Sequence, residues 1–167
     1  MTSTIEASFL GELNENLGLV HRVCWVYFPS DPLEREDVKQ EILYQLWKGY
    51  PRFQRHAKFS TWMYSVALHT AITHIRRTAR EQANEELTED SAVAPSTEDQ
   101  ITRQEEVARL YDAIASLSAV DKAIALLHLE GHTYDEIASV IGLTAMNVSV
   151  RLVRLKRVLR DRIEKNR

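Results

Sequence analysis

The sequence predicts an all-α protein of two small helical domains joined by an acidic linker. An N-terminal helical bundle is expected over 1–80, the linker over 81–101, and a C-terminal four-helix domain with a helix-turn-helix over 102–167. Three observations carry this expectation. Apolar residues recur at spacings of three and four through most of the chain, and strand-like alternation is scarce. Only five glycines and four prolines interrupt 167 residues. Glu81 to Gln100 combines low hydrophobicity with seven carboxylates and Pro95, a composition that cannot bury enough apolar surface to hold a fold.

The first helix is predicted from Ile5 to Phe28, where Phe9, Leu13, Leu17, Val20, Cys24 and Tyr27 form an amphipathic stripe. Pro29 stops it. Ser30 or Asp31 caps the second helix, Pro32 occupies its first turn, and Glu34 and Glu36 favour its positive end. To about Lys48 this helix divides into two faces. Leu33, Val38, Ile42 and Leu46 make the apolar one, and Glu34, Asp37, Glu41 and Gln45 the polar one, flanked by Gln40 and Tyr44. From Gly49 to Lys58 the helical period is lost. Tyr50 and Phe53 alternate there with Arg52, Arg55, His56 and Lys58, the materials for stacking an unpaired base while neutralising its phosphates; the same rings would also serve to pack the loop onto the bundle. Phe59 to Arg80 returns to helix, with apolar residues on two sides and Arg76, Arg77 and Arg80 at its C-terminal end, where cations are favoured and can reach phosphates.

After the linker, structure resumes near Ile101. Val107, Leu110, Ile114 and Leu117 predict one helix, and Ser118 with Asp121 caps the next, which carries Val120, Ile124 and Leu127 and ends at Gly131. Two short helices then meet at a tight turn. Thr133 and Glu136 form a capping box, Gly142 supplies the break, and Thr144 caps the last helix, whose stripe is Val148, Leu152, Leu155 and Leu159. The opposite side carries Asn147, Val150, Arg151 and Arg154, the polar and cationic outer face required of a helix that enters a DNA groove; an ordinary amphipathic helix pair has the same pattern.

A net charge of -3 argues against a nucleic-acid partner until its distribution is considered. Lys48 to Arg80 holds seven basic residues and no acidic one, and Thr144 to Arg167 holds eight basic residues against Asp161 and Glu164. Two basic surfaces around an acidic connector fit a protein that touches a polyanion at two places. The single cysteine, Cys24, excludes an internal disulfide framework and suits a reducing, cytoplasmic compartment; no apolar run approaches membrane-spanning length. Nothing supports catalysis. His128, His132 and Glu136 would align as metal ligands only if one helix ran through Gly131, and no phosphate-cradling glycine loop is present, so neither metal nor cofactor is expected.

Three stretches carry a family resemblance: EREDVKQEILYQLW at Glu34 to Trp47, KFSTWMYSVALHTAITHIRR at Lys58 to Arg77, and YDEIASVIGLTAMNVSVRLVRLKRVL at Tyr134 to Leu159. In this order, around an acidic linker, they resemble the bacterial RNA polymerase sigma factors of the extracytoplasmic-function group, the minimal members of the sigma-70 family with only the second and fourth conserved regions. The resemblance implies a sigma factor that binds core RNA polymerase and directs promoter-specific transcription initiation. Glu36, Asp37, Gln40, Glu41 and Tyr44 would then contact the polymerase. Tyr50, Arg52, Phe53, Arg55, Lys58, His69, Thr73, Arg76 and Arg77 would contact the single-stranded -10 element, the loop capturing an exposed base. Thr144, Asn147, Val150, Arg151, Arg154 and Arg157 would contact the duplex -35 element. His69 and Thr73 stand where the family usually has Asn and Asp, and Asn147 where it has Thr. An anti-sigma factor, often membrane-bound in the family, is the further partner implied. The alternatives are an autonomous helix-turn-helix operator-binding regulator and a helical interaction module without transcription activity.

Overall fold

The computed structural model of the chain describes residues 2–84 and 102–166. Among these, seven α-helices and one 3-10 turn form, and no strand: α1 Thr2–Tyr27, α2 Pro32–Gly49, the turn Tyr50–Arg52, α3 Phe59–Asn84, α4 Thr102–Ala115, α5 Ala119–Leu129, α6 Tyr134–Ile141 and α7 Ala145–Lys165. The chain divides into two compact units, 1–92 and 93–167. Helix α3 continues four residues past Arg80; the remainder of the predicted linker lies outside the described residues.

In the first unit α1, α2 and α3 pack against one another in all three pairings. Asp31 starts α2, its Oδ1 accepting the N–H groups of Leu33 and Glu34 at 2.9 and 3.1 Å. The core combines Phe9, Leu13, Val20 and Val23 of α1 with Val38, Ile42 and Leu46 of α2 and Met63, Tyr64, Ala67 and Leu68 of α3. Leu33 departs from the expected stripe and is exposed. It lies five residues before Val38, a rotation of roughly 140° from the buried line on a helix with 3.6 residues per turn. Burial pushes the Cys24 thiol up to about 11, so it stays protonated at neutral pH and behaves as a small apolar core group.

In the second unit α5 is the central hydrophobic rod, buried from Asp121 to Leu127, and α7 contacts α4, α5 and α6. Ser118 caps α5 and the Thr133/Glu136 capping box closes α6, its two hydrogen bonds both 3.2 Å. Gly142 takes the left-handed conformation that ends α6, at φ 79°, where a side chain would be strained. Val107, expected on the inner stripe of α4, is exposed one turn from the start of that helix.

Candidate nucleic-acid interface

Helix α2 presents its polar face outward. Glu36, Asp37, Gln40, Glu41 and Tyr44 are all exposed, as the i, i+1, i+4, i+5, i+8 spacing requires of one helix side. Glu36 is drawn into local pairing: Lys39 reaches it at 2.7 Å and Gln40 at 3.4 Å, and the Lys39 hydrogen bond holds its carboxyl below the usual range. Gln45 donates to Glu41 at 2.8 Å.

The loop between α2 and α3 is tied down at several points. Gly49 allows it to pass close over α3, since a Cβ there would lie 3.1 Å from the Trp62 ring. Tyr50 is buried, its ring edge-on to Phe9 and Phe59 at 5.1 and 6.1 Å, and its hydroxyl donates to Glu12 at 2.7 Å. Arg55 forks onto the same carboxylate at 2.8 and 3.1 Å, from a backbone with φ 56°. The Arg55 hydrogen bond also lowers the Glu12 pKa. The family resemblance implies -10 contacts for Tyr50 and Arg55, and composition leaves open whether the loop's rings meet a base or pack onto the bundle; in the fold both side chains are fastened to α1 through Glu12. Phe53 remains half-buried, stacked on Trp62 with centroids 4.9 Å apart and planes at 23°. Arg52 and Lys58 are exposed.

A cleft of about 420 Å³ opens between α2 and α3 beside this stack. Glu41 and Gln45 line one wall, and Trp62, His69, Thr73 and Arg77 the other. The row His69, Thr73, Arg77 follows from four-residue spacing on one helix face. Behind it Glu34 approaches His74 at 3.0 Å, and His74 contacts Arg77 at 3.2 Å, so the Arg77 guanidinium is braced from beneath. Arg76 is exposed on the same terminal stretch.

In the second unit α6 and α7 meet at 103°, within the range of a helix-turn-helix corner. Asn147, Val150, Arg154 and Arg157 stand exposed on α7. The Thr144 hydroxyl is occupied as the cap, accepting the Asn147 N–H at 3.2 Å. Arg151 is half-buried and donates to Asp121 Oδ1 at 2.8 Å, while Arg154 lies 3.5 Å from Asp121 Oδ2. The predicted reader arginines are thus oriented by one carboxylate at the start of α5. Sequence reasoning missed this role of Asp121, and that of Glu12. Asp121 stood out only as part of a helix cap, and no linear signal joins it to an arginine thirty positions later. Gly131, with φ 84°, ends α5 before His132, so His128, His132 and Glu136 do not share a helix.

A family model described as "Sigma-70 region 2" matches residues 13–81, and one described as "Sigma-70, region 4" matches residues 108–159. The RNA polymerase sigma-H factor of Pseudomonas aeruginosa is 27% identical over 154 residues, spanning 86% of this chain and 77% of that protein. The ECF RNA polymerase sigma-E factor of Haemophilus influenzae is 26% identical over 139 residues, spanning 77% and 74%. The fold is similar to that of the sigma factor RpoE from Bartonella quintana, solved in complex with the anti-sigma factor NepR. The TM-score is 0.74 at 21% identity, over 96% of this chain and 99% of that one.

Proposed function

Since the chain belongs to the extracytoplasmic-function group of the sigma-70 family and is a sigma factor that directs transcription initiation, we propose that it works through a two-point grip on the promoter, with the polymerase held at the edge of the first point. Members of this family are initiation factors, and the chemistry of RNA synthesis belongs to the polymerase they bind. The exposed carboxylates of Asp37 and Glu41, with Gln40, Tyr44 and Glu36 around them, dock on core RNA polymerase. The cleft beside them takes the non-template strand of the -10 element: a base leaving the duplex stacks against the Phe53 and Trp62 pair, His69 and Thr73 offer hydrogen bonds, and Arg52, Lys58, Arg76 and Arg77 neutralise phosphates. Tyr50 and Arg55 act indirectly, through Glu12. Helix α7 enters the major groove of the -35 element, with Asn147 and Arg154 facing base edges, Arg157 facing the backbone, and Arg151 and Thr144 holding the helix in position.

One observation carries this reading: a single cleft has the docking carboxylate Glu41 on one wall and the Trp62, His69, Thr73, Arg77 row on the other. A strand opened there is captured where polymerase is anchored, which couples promoter melting to holoenzyme assembly. Outside the holoenzyme, duplex binding is expected to be weak, because each DNA-facing surface is small and the connector is acidic. We further infer a cytoplasmic location and restraint by an anti-sigma factor, by analogy with the Bartonella quintana complex; a membrane-bound anti-sigma factor would hold the protein at the membrane.

The test is reconstitution. Purified protein is added to core polymerase and genomic DNA fragments, and the 5′ ends of specific transcripts are mapped. Co-elution with core and initiation downstream of a shared two-part motif are expected. Absence of both would refute the proposal.

A further inference from the structure

We propose that Met146, Val150 and Val153 form an apolar line of sequence readout on α7 that takes the C5-methyl groups of thymines in the major groove. The inference rests on the reading of α7 as the -35 reader and deepens it. Helix α7 already has a buried side, Val148, Leu152 and Leu155, which packs into the second unit. Its other side should be polar if it only met water. Instead Met146 is 76% exposed, and Val150 and Val153 are each 65% exposed. Their spacing of four and three aligns them in one stripe along the middle of the outward face.

The surroundings decide what covers the stripe. Ala145 to Arg160 contains Arg151, Arg154, Lys156, Arg157 and Arg160 and no acidic residue. A protein partner with an apolar surface would have to bury this cationic rim, whereas a polyanion is attracted by it. The major groove of DNA offers negative charge at its walls and an apolar point on its floor, and among the four bases that point is the thymine methyl. The dimensions agree. At 1.5 Å per residue Met146 and Val150 are about 6 Å apart along the helix axis, close to two base steps at 3.4 Å each. Met146 and Val150, nearest the helix N-terminus, lie where base edges are usually met, and Val153 follows toward the groove mouth. Asn147 and Arg154 would supply the polar half of the code beside them.

Replacing thymine by deoxyuridine removes only the methyl group and leaves the base pairing unchanged. Holoenzyme binding is measured on the promoter duplex it selects, with each thymine of the -35 element replaced singly on either strand. We expect at least one position where the unmodified protein loses about four-fold in affinity, as for burial of one methyl-sized group. At that position Met146→Ala or Val150→Ala should bind the thymine and deoxyuridine duplexes equally. Insensitivity to deoxyuridine at every position, full sensitivity retained in both variants, or a selected element without thymine overturns the inference. So does loss of co-elution with another protein or a second copy in these variants while duplex discrimination is unaltered. Arg154→Ala provides the separate control: if neither it nor a scrambled -35 element alters binding, the assignment of α7 as reader has failed, which is distinguishable from failure of the methyl readout alone.

Discussion

Replacing Asp121 by Asn preserves the shape of the side chain and removes the charge that orients Arg151 and Arg154. The carboxylate is only 12% exposed, against 36% for the Arg151 side chain and 62% for that of Arg154. Fully exposed pairs contribute up to about 1 kcal/mol and breaking a buried pair costs about 3–5 kcal/mol, so this half-covered pair should be worth about 1–2 kcal/mol. For a unit of this size the corresponding fall in melting temperature is about 5–10 °C. A second effect has the opposite sign. In the native arrangement two cations share one anion on the surface proposed to meet the -35 element, and removing the anion leaves one more positive charge available to phosphates. Each extra phosphate contact steepens the dependence of log affinity on log salt by about 0.9, which is roughly a 3.5-fold greater loss of affinity over a four-fold rise in salt. Asp121→Asn should therefore melt earlier, bind non-specific duplex more tightly at low salt, and discriminate less between promoter and random DNA, because Arg151 no longer has a fixed direction. Thermal circular dichroism and fluorescence anisotropy across a salt series measure these effects. An unchanged melting temperature together with an unchanged salt slope would refute the orienting role; a lowered melting temperature with an unchanged slope would reduce Asp121 to a purely structural tie.

The first unit yields three further predictions. Combined Asp37→Arg and Glu41→Arg should abolish co-elution with core polymerase while the helical circular-dichroism signal is unchanged, and retained binding would mean that another face docks. Trp62→Ala removes the platform under Phe53 and should weaken capture of the opened strand by about 1–3 kcal/mol, the range measured for base stacking, read as loss of permanganate-reactive thymines in the -10 region with duplex binding through α7 unchanged. Glu12→Gln tests the tie between α1 and the loop. The Glu12 pKa is held below 4.5 in the folded state, chiefly by Arg55. Its contribution to stability is accordingly complete above the unfolded value and is lost as pH falls through the lower, folded one. The native protein should exceed Glu12→Gln in stability at neutral pH, and the gap should narrow below about pH 4.5; a gap independent of pH would exclude the carboxylate charge as its source.

Much of the fold can be read along the chain because helices are written locally. Asp31, Ser118, Thr133 and Thr144 cap helices within three residues of themselves, and Gly142 ends α6 through its own backbone angle. The corner of α6 and α7 was legible for this reason. So was the polar face of α2, which follows from helical period alone, whereas His69 and Thr73 are pointed to only by the family resemblance and the fold sets them in one row with Arg77.

What the sequence by itself determined was therefore the helical class, the caps that start α2, α5, α6 and α7, the Gly142 stop of α6, the distribution of charge and the polar outer faces of α2 and α7. What only the tertiary structure decided was which of those residues are already engaged. Composition made Tyr50 equal to Phe53 as a ring for a base and Arg55 equal to Arg52 as a cation for its phosphates, but Glu12, more than thirty-five positions earlier, engages both Tyr50 and Arg55. Arg151 and Arg154 appear equivalent in the sequence, yet Asp121 holds the first at 2.8 Å and the second only at 3.5 Å. Leu33 and Val107 have the apolar character of core residues and are left outside it. The physical reason is range: helix propensity, capping and amphipathic period act over three or four residues, whereas the pairing of a carboxylate with a distant arginine or tyrosine depends on how whole helices pack, and that packing gives each surface side chain either a partner or a free end.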